Sequence, residues 1–367
     1  MNNIIFNLVV TEKCNLACKY CYMHNNDNYM SANIIDSLYN NSQKLLDLFD
    51  GKTFNIDFFG GEPLLNWDII RYTIDKFKDV DNKTFYCIIS NLLLLTDDKV
   101  DYMLNNDIGA SWSFDGLWNQ DTRVDVNNNS TFDKYIEKLD LIRRVATSCK
   151  CTITPYQMYS DITLVENFRF MQDELGITPD YSISKDNGWT DETVDKFLYQ
   201  LEEFVDMYID YCNSGLLITC GFFNLYLADT ILYKKTGKRN FSCFAGQNGI
   251  SIMPNGDIYP CARYGTSCLS KMGNILDTNT IHPFEYQEQL NPVNFDECKK
   301  CNMYGWCNSG CQFAQQCNGF KPIKTYCKLY KGIYKKALYV CEKLNNNKEW
   351  LRSLHYETNI MNGLKCS

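Results

Sequence analysis

Short apolar runs alternate with helical stripes through the first 212 positions of the chain. Strand-like runs fall near 4–10, 53–59, 84–90, 109–114, 149–154 and 180–184. In the second run Phe54, Ile56 and Phe58 share one side, the period-two mark of a strand with a buried face. Segments of helical period follow, near 31–49, 67–78, 96–106, 131–146, 161–175 and 190–212. Ile34, Ile35, Leu38, Leu45, Leu46 and Phe49 form the apolar stripe of the first. Strand–helix units repeated in this way predict a parallel sheet with its helices outside. Eight such units close a barrel and six leave a gap. The expected class is therefore α/β, a partial (β/α)6 TIM-like barrel over 1–212.

Around Ser214 and Gly215 the pattern changes. A connecting segment with some helical character is expected over 213–240. From 241 to 330 periodicity fades while Cys, Gly and Asn accumulate. Nine of the chain's 19 cysteines lie from Cys243 to Cys327. Such a segment builds little core of its own and is expected to fold around metal. A C-terminal helix, from Tyr330 to about Leu354, and a tail complete the chain over 331–367.

Charge and composition narrow the function. A net charge of −8 argues against a protein that binds nucleic acid by neutralising phosphates. The lysines between Lys331 and Lys336 read as a solvated helix face. Neither a basic start followed by an apolar core nor a long apolar span is present, so the expected location is cytoplasmic, with no membrane partner. Disulfides are disfavoured in that reducing compartment, and 19 is an odd number. Metal or cluster ligation accounts better for so many thiols. With only His24, His282 and His355 available, a histidine-rich zinc hydrolase site or a Ser-His-Asp arrangement has few places to form.

The unusual residues gather where the strands end, the functional end of a βα-barrel. Cys14, Cys18 and Cys21 follow the first strand, and Gly60-Gly61-Glu62-Pro63 follows the second. Ser90 and Asn91 close the third, Ser111 to Gly116 the fourth, and Ser182, Ser184 and Lys185 the sixth. Three soft thiolates can hold three irons of a [4Fe–4S] cluster and leave the fourth iron open to a further ligand. A zinc knuckle or incidental thiols is the plainer alternative for the cysteine stretch alone, as a simple turn is for the Gly-Gly-Glu-Pro stretch.

The CxxxCxxC spacing, with Tyr20 before the last Cys, resembles the radical S-adenosylmethionine (SAM) enzymes, and Gly60-Gly61-Glu62-Pro63 resembles their GGEP motif. The resemblance implies that the open iron chelates SAM and that reductive cleavage yields a 5′-deoxyadenosyl radical, which abstracts hydrogen from substrate. It implies SAM contacts by Gly60, Gly61 and Glu62, by Ser113 and Asp115 of Ser-Phe-Asp-Gly, and by Ser90 and Asn91, where Leu92 replaces the family's usual Gly. Arg123 is placed to pair with the SAM carboxylate, a plain surface arginine being the alternative, and Met23 falls where the family contacts adenine.

The distal cysteines resemble a SPASM domain, the auxiliary-cluster domain of radical SAM peptide and protein modifiers. The resemblance implies two auxiliary [4Fe–4S] clusters, three in all with the SAM-binding one, against an alternative of two structural zinc sites. Matched by position, the outer cluster takes Cys298, Cys301, Cys307 and Cys327. The inner takes Cys243, Cys261 and Cys311, its fourth position being left to Cys268, Cys220 or an open iron. Cys87, Cys149, Cys151, Cys212, Cys317, Cys341 and Cys366 receive no role beyond core or surface thiols. Sulfatase-maturing relatives carry an Asp just after the second inner-cluster Cys, where this chain has Ala262.

The expected function is that of a radical SAM/SPASM maturase. It modifies a ribosomally made peptide or a protein side chain, forming a thioether or carbon–carbon cross-link. Expected partners are the peptide or protein substrate and an electron donor such as a flavodoxin or ferredoxin. Cys14 lies too early for a preceding leader-binding module, so leader recognition is expected elsewhere or in a separate protein. The rivals are an anaerobic sulfatase-maturing (formylglycine-forming) enzyme and a non-catalytic iron–sulfur electron carrier or zinc-stabilised binding module. A carrier would use four protein ligands at its cluster and need no SAM motif.

Overall fold

The computed structural model describes residues 3–185, 188–217, 221–237, 243, 245–283, 296–307, 310–319 and 321–361. Its parallel strands are β1 (Asn3–Thr11), β2 (Thr53–Gly60), β3 (Lys83–Ser90), β4 (Ile108–Ser113), β5 (Ala146–Ile153) and β6 (Pro179–Ile183). Three further short strands follow, β7 (Gly249–Ile252), β8 (Asp257–Tyr259) and β9 (Gly273–Asn274). The sheet order is β6-β5-β4-β3-β2-β1-β7-β8-β9, so the expected six strands stand side by side and the sheet remains open. This is the α/β partial barrel, followed by a cysteine-rich C-terminal region.

Two compact units make up the chain. The first comprises Met1–Phe114, Asn119–Cys149 and Phe244–Leu290, the second Asp115–Trp118, Lys150–Cys243 and Asn291–Ser367.

In the first unit the strands run in register, with Phe6 beside Ile56 and Leu8 beside Phe58. Ile4, Phe6, Leu8, Phe54, Ile56 and Phe58 are fully buried on the face turned to the helices. Phe6 and Phe54 stack at 4.8 Å, and Phe77 of the helix Trp67–Phe77 meets Phe54 edge-on at 5.9 Å. The helix Ala32–Leu48 buries the predicted stripe of Ile34, Ile35, Leu38, Leu45 and Leu46. The opposite sheet face carries Asn7, Asp57 and Cys87, all half-buried.

Strands β7 to β9 lie where sequence periodicity had faded. Their alternating runs are only four, three and two residues long. β7 pairs in parallel with β1, and β8 returns antiparallel to β7. The turn between them closes with Gly256 N–H donating to Met253 O at 2.9 Å. Its φ of +84° accounts for a glycine there.

The second unit takes the C-terminal half of β5 and all of β6, where Ser184 N–H donates to Ile153 O at 2.8 Å. The expected helix over 161–175 starts later, at Leu164, because Thr163 and Glu166 form a reciprocal cap there. It passes into a π-helical turn over Phe170–Glu174. In the first unit the helix expected over 131–146 is two pieces, Phe132–Glu137 and Leu139–Val145, divided at Lys138. The long helix Asp191–Asn213 packs against Lys324–Lys343, and Phe223 of Gly221–Thr236 meets Phe204 and Tyr208 edge-on. Trp350 donates to Tyr208 Oη at 3.0 Å, and Trp306 donates to Thr230 Oγ1 at 3.0 Å. The C-terminal helix of the sequence reading is thus two helices, Lys324–Lys343 and Lys348–Met361.

Candidate functional site

The cysteine loop leaves β1 at Thr11 and is held on both sides. Lys13 N–H donates to Thr11 Oγ1 at 3.0 Å, and Cys14 N–H to Asn25 Oδ1 at 2.8 Å. Across the loop Ala17 N–H reaches Val124 O at 2.8 Å and Lys19 N–H reaches Thr122 O at 3.0 Å. Cys21 N–H turns back to Cys18 O at 3.0 Å. Burial pushes the Cys14 thiol up to about 12, and Glu62, Cys18 and Cys21 add to that direction. The three thiols therefore sense one another's charge. Each would bond a separate iron of a cluster, so they need not converge on one point. Among the described residues no three His, Cys, Asp or Glu side chains converge as around a single metal ion. The all-thiol loop fits a three-ligand cluster.

The end of β2 is packed directly against this loop. Gly61 N–H donates to Thr11 O and Glu62 N–H to Lys13 O, both at 2.8 Å. A Cβ on Gly60 would lie 2.1 Å from Thr11 O, and one on Gly61 2.2 Å from Lys13 O. Both glycines are required by the approach of the cysteine loop itself. The Glu62 carboxylate is fully buried and faces inward. Its Oε1 accepts from Leu64 N–H at 3.0 Å and Ser90 Oγ at 2.6 Å, and its Oε2 from Asn91 N–H at 2.9 Å. Burial raises its pKa while these three donors oppose the rise. Glu62 thus ties the end of β2 to the end of β3.

Asn91 extends the brace, donating from Nδ2 to Asn15 Oδ1 in the cysteine loop at 2.9 Å. Leu92, where the motif ordinarily has Gly, takes the glycine conformation at φ +59°. Its N–H donates to Ser90 Oγ at 2.8 Å, and its side chain is fully buried. The replacement therefore leaves the turn after Asn91 in its glycine-like form.

Arg123 is only 7% exposed, which removes the surface-arginine alternative. Its guanidinium lies 5.4 Å from the ring of Tyr20, inside the cysteine motif. Ser113 ends β4, its carbonyl accepting from Tyr135 Oη at 3.2 Å. Met23 is half-buried on the cysteine loop. Asp115 belongs to the second unit, is fully buried, and accepts from Thr152 N–H at 2.9 Å.

Cys261 occupies the position just before the helix Ala262–Ser267. That helix meets the cysteine loop through two contacts that sequence reasoning missed. Arg263 lies 4.3 Å from the ring of Tyr22, and His24 Nε2 is 3.1 Å from Thr266 O. Both loop residues follow Cys21 within three positions, but nothing in their spacing signals a partner some 240 residues away. Cys268 follows the helix at φ +54°, its sulfur 3.9 Å from Gly265 O. Cys220 and Cys366 lie outside the described residues.

The second unit holds Cys298, Cys301, Cys307 and Cys327, together with Cys243 and Cys311. Cys301 N–H donates to Cys298 O at 2.9 Å, and Lys324 pairs with Glu297. Burial raises the Cys327 thiol and Cys301 adds to the rise, while Lys324 and Lys331 oppose it. Cys327 and Cys301 are thus within electrostatic reach of each other. Of the cysteines without a role, Cys149, Cys151, Cys212 and Cys341 are buried, Cys87 is half-buried and Cys317 is exposed.

An open α/β sheet with three thiols on the loop after its first parallel strand defines the class as a cluster-bearing partial-barrel enzyme. Residues 8–171 match the Radical SAM superfamily. The radical SAM cyclopropyl synthase TigE of Paramaledivibacter caminithermalis is 22% identical over 355 residues, which span 90% of this chain and 73% of that protein. The cysteine-type anaerobic sulfatase-maturating enzyme of Clostridium perfringens is 25% identical over 363 residues, 88% of this chain and 93% of the relative. The solved structure of anSMEcpe with bound AdoMet and the Cp18Cys peptide superposes with a TM-score of 0.77 at 19% identity, covering 94% of this chain and 100% of that one.

Proposed function

We propose that this chain is a peptide-modifying maturase that forms a carbon–carbon or thioether cross-link in a ribosomally made peptide or a protein side chain. The observation that carries the reading is the three-thiol loop clamped onto Gly60, Gly61 and Glu62 at the strand ends. Cys14, Cys18 and Cys21 would hold a [4Fe–4S] cluster, with Gly60, Gly61, Glu62, Ser90, Asn91, Ser113, Asp115, Arg123 and Met23 around SAM. Bound there, the cluster and SAM would supply the radical chemistry for hydrogen abstraction. The chain's own residues orient and shield. Glu62 acts through the backbone, because its carboxylate is spent on Leu64, Ser90 and Asn91. Arg123, buried against Tyr20, would pair with a carboxylate ligand.

Residues 241–330 would form the SPASM domain, with an outer cluster on Cys298, Cys301, Cys307 and Cys327 and an inner one on Cys243, Cys261 and Cys311. A flavodoxin or ferredoxin would supply electrons. Among the expected outcomes a carbon–carbon bond has the additional support of the relative named a cyclopropyl synthase, since a cyclopropyl ring is made of carbon–carbon bonds. Sulfatase maturation is supported by the likeness to the sulfatase-maturating enzymes. It is disfavoured by Ala262, which is buried and carries no group to take a proton.

Replacing Cys14, Cys18 and Cys21 together with Ala tests the proposal. The variant is expected to lose about four irons per chain and all 5′-deoxyadenosine production while keeping its other clusters. SAM cleavage at the wild-type rate in that variant would overturn the assignment.

A further inference from the structure

The face of β1, β2 and β7 turned away from the helices contains a polar row that the cluster site does not use. Ser251, Asn7, Asp57 and Cys87 stand side by side on neighbouring strands. A chain of donors leads up to it. Thr53 Oγ1 donates to Asn3 Oδ1 at 3.0 Å, Asn3 Nδ2 to Asn55 Oδ1 at 2.6 Å, and Asn55 Nδ2 to Asp57 Oδ1 at 2.7 Å. There the chain stops. Asp57 has no ion-pair partner among the described residues, and Asn55 is its one side-chain hydrogen bond. Beside it Asn7 donates from Nδ2 to Ser251 Oγ at 3.2 Å, while its Oδ1 is buried with no donor.

One buried acceptor without a donor, Asn7 Oδ1, thus stands beside the half-buried Asp57 carboxyl, which accepts from Asn55 and which burial pushes up to about 6. A buried carboxylate without a cation is costly, and a buried amide oxygen without a donor costs further. Sites of this kind are found where a ligand completes them. The face also limits what the ligand can be. Phe59 and Ile89, both half-buried, lie two residues nearer the cysteine loop than Asp57 and Cys87 on the same sheet face. At about 3.3 Å per residue, Asp57 lies roughly 10 Å below Gly60. Along this sheet face from the cysteine-loop end, the apolar Phe59 and Ile89 come first and the polar Asn7 and Asp57 after them.

We propose that this row binds the cationic head of a lysine or arginine side chain of the substrate peptide, with Asp57 and Asn7 accepting from it and Phe59 and Ile89 lining its aliphatic stem. Such side chains combine an apolar stem with a donor-rich, charged end. The inference rests on the peptide-modifying reading and deepens it by naming a substrate residue class.

The test uses cluster-loaded wild-type protein containing isotope-labelled aspartate. It is titrated with n-butylguanidinium and, separately, with its neutral isostere n-butylurea. The Asp57 carboxyl resonance is assigned by its absence from D57N, or from D57S should D57N not be recovered. The expected result is a saturable displacement by butylguanidinium, at an affinity about tenfold above butylurea, the order of one charge-assisted hydrogen bond. No displacement, or equal displacement by both probes, would overturn the proposal. SAM cleavage measured in the same sample reports on the proposed function, so the two ideas fail separately.

Discussion

Asp57 illustrates how one side chain can set a pH dependence for the whole fold. Its ordinary value is 3.8, and burial, only partly offset by Asn55, pushes it up to about 6. Folding therefore favours its protonated form. The stabilisation is fully present below about pH 4 and is lost as pH rises through about 6, since the carboxylate must then be buried charged. The interval between the two values is worth about 3 kcal/mol. Asp57→Asn keeps the shape and removes the titration. Wild type is expected to lose about 3 kcal/mol relative to D57N between pH 4 and pH 7, read from denaturation midpoints of anaerobic protein. A constant difference across that range would show that the carboxyl is already compensated. A cation bound beside Asp57 would flatten the curve in the same way, so the measurement belongs to peptide-free enzyme.

Among the elements, the junction of β1, β2 and the cysteine loop depends most on backbone proximity. Gly60→Ala places a Cβ 2.1 Å from Thr11 O, in a backbone at φ +148° that L side chains rarely adopt. It is expected to cost about 3 kcal/mol or more and to lower iron loading with it, measured by thermal midpoint and iron content. An unchanged iron content would mean that the loop does not depend on that approach. The elements of the barrel were legible because their period is long and repeated. Phe54, Ile56 and Phe58, and the stripe from Ile34 to Leu46, announce a strand and a helix without any partner in view. The cysteine motif was legible because its three thiols are local in sequence. Other features were not. A strand of four residues such as β7 has too little alternation to register, and its partner β1 lies some 240 residues away. The glycine-like backbone at Leu92 is set by Ser90 and the turn, not by the residue's own preference. The Asp57 row needed the strand register, because Asn7, Asp57 and Ser251 share nothing along the chain. Burial of Arg123 likewise followed only from its packing on Tyr20.

At the scale of the whole molecule, the two units differ in what holds them together. The first is a sheet packed on helices, with Phe6, Phe54 and Phe77 at its centre. In the second, the long helices pack through Phe204, Tyr208, Phe223 and Trp350, whereas the stretch 296–317 buries a smaller set among its described residues, chiefly Met303, Trp306 and Ala314. Its helices Asp296–Lys299, Tyr304–Cys307 and Gln312–Cys317 have four, four and six residues. Helices shorter than about 12 residues are marginal alone in water, so neighbours must hold these. Trp306 anchors one through Thr230 and the rings of Tyr226 and Tyr334, and the Lys324–Glu297 pair is exposed and weak. Four thiolates on one cluster would tie the stretch to the helix Lys324–Lys343, since Cys327 lies on that helix and the other three lie before it. Iron removal by chelation is therefore expected to expose residues 296–317 to protease first, while Asp191–Asn213 and Lys324–Lys343 persist as a resistant core. Limited proteolysis with fragment mass analysis reads the order of cutting. Equal resistance of that stretch with and without iron would show that side-chain packing alone holds it, and would remove the structural argument for an outer cluster.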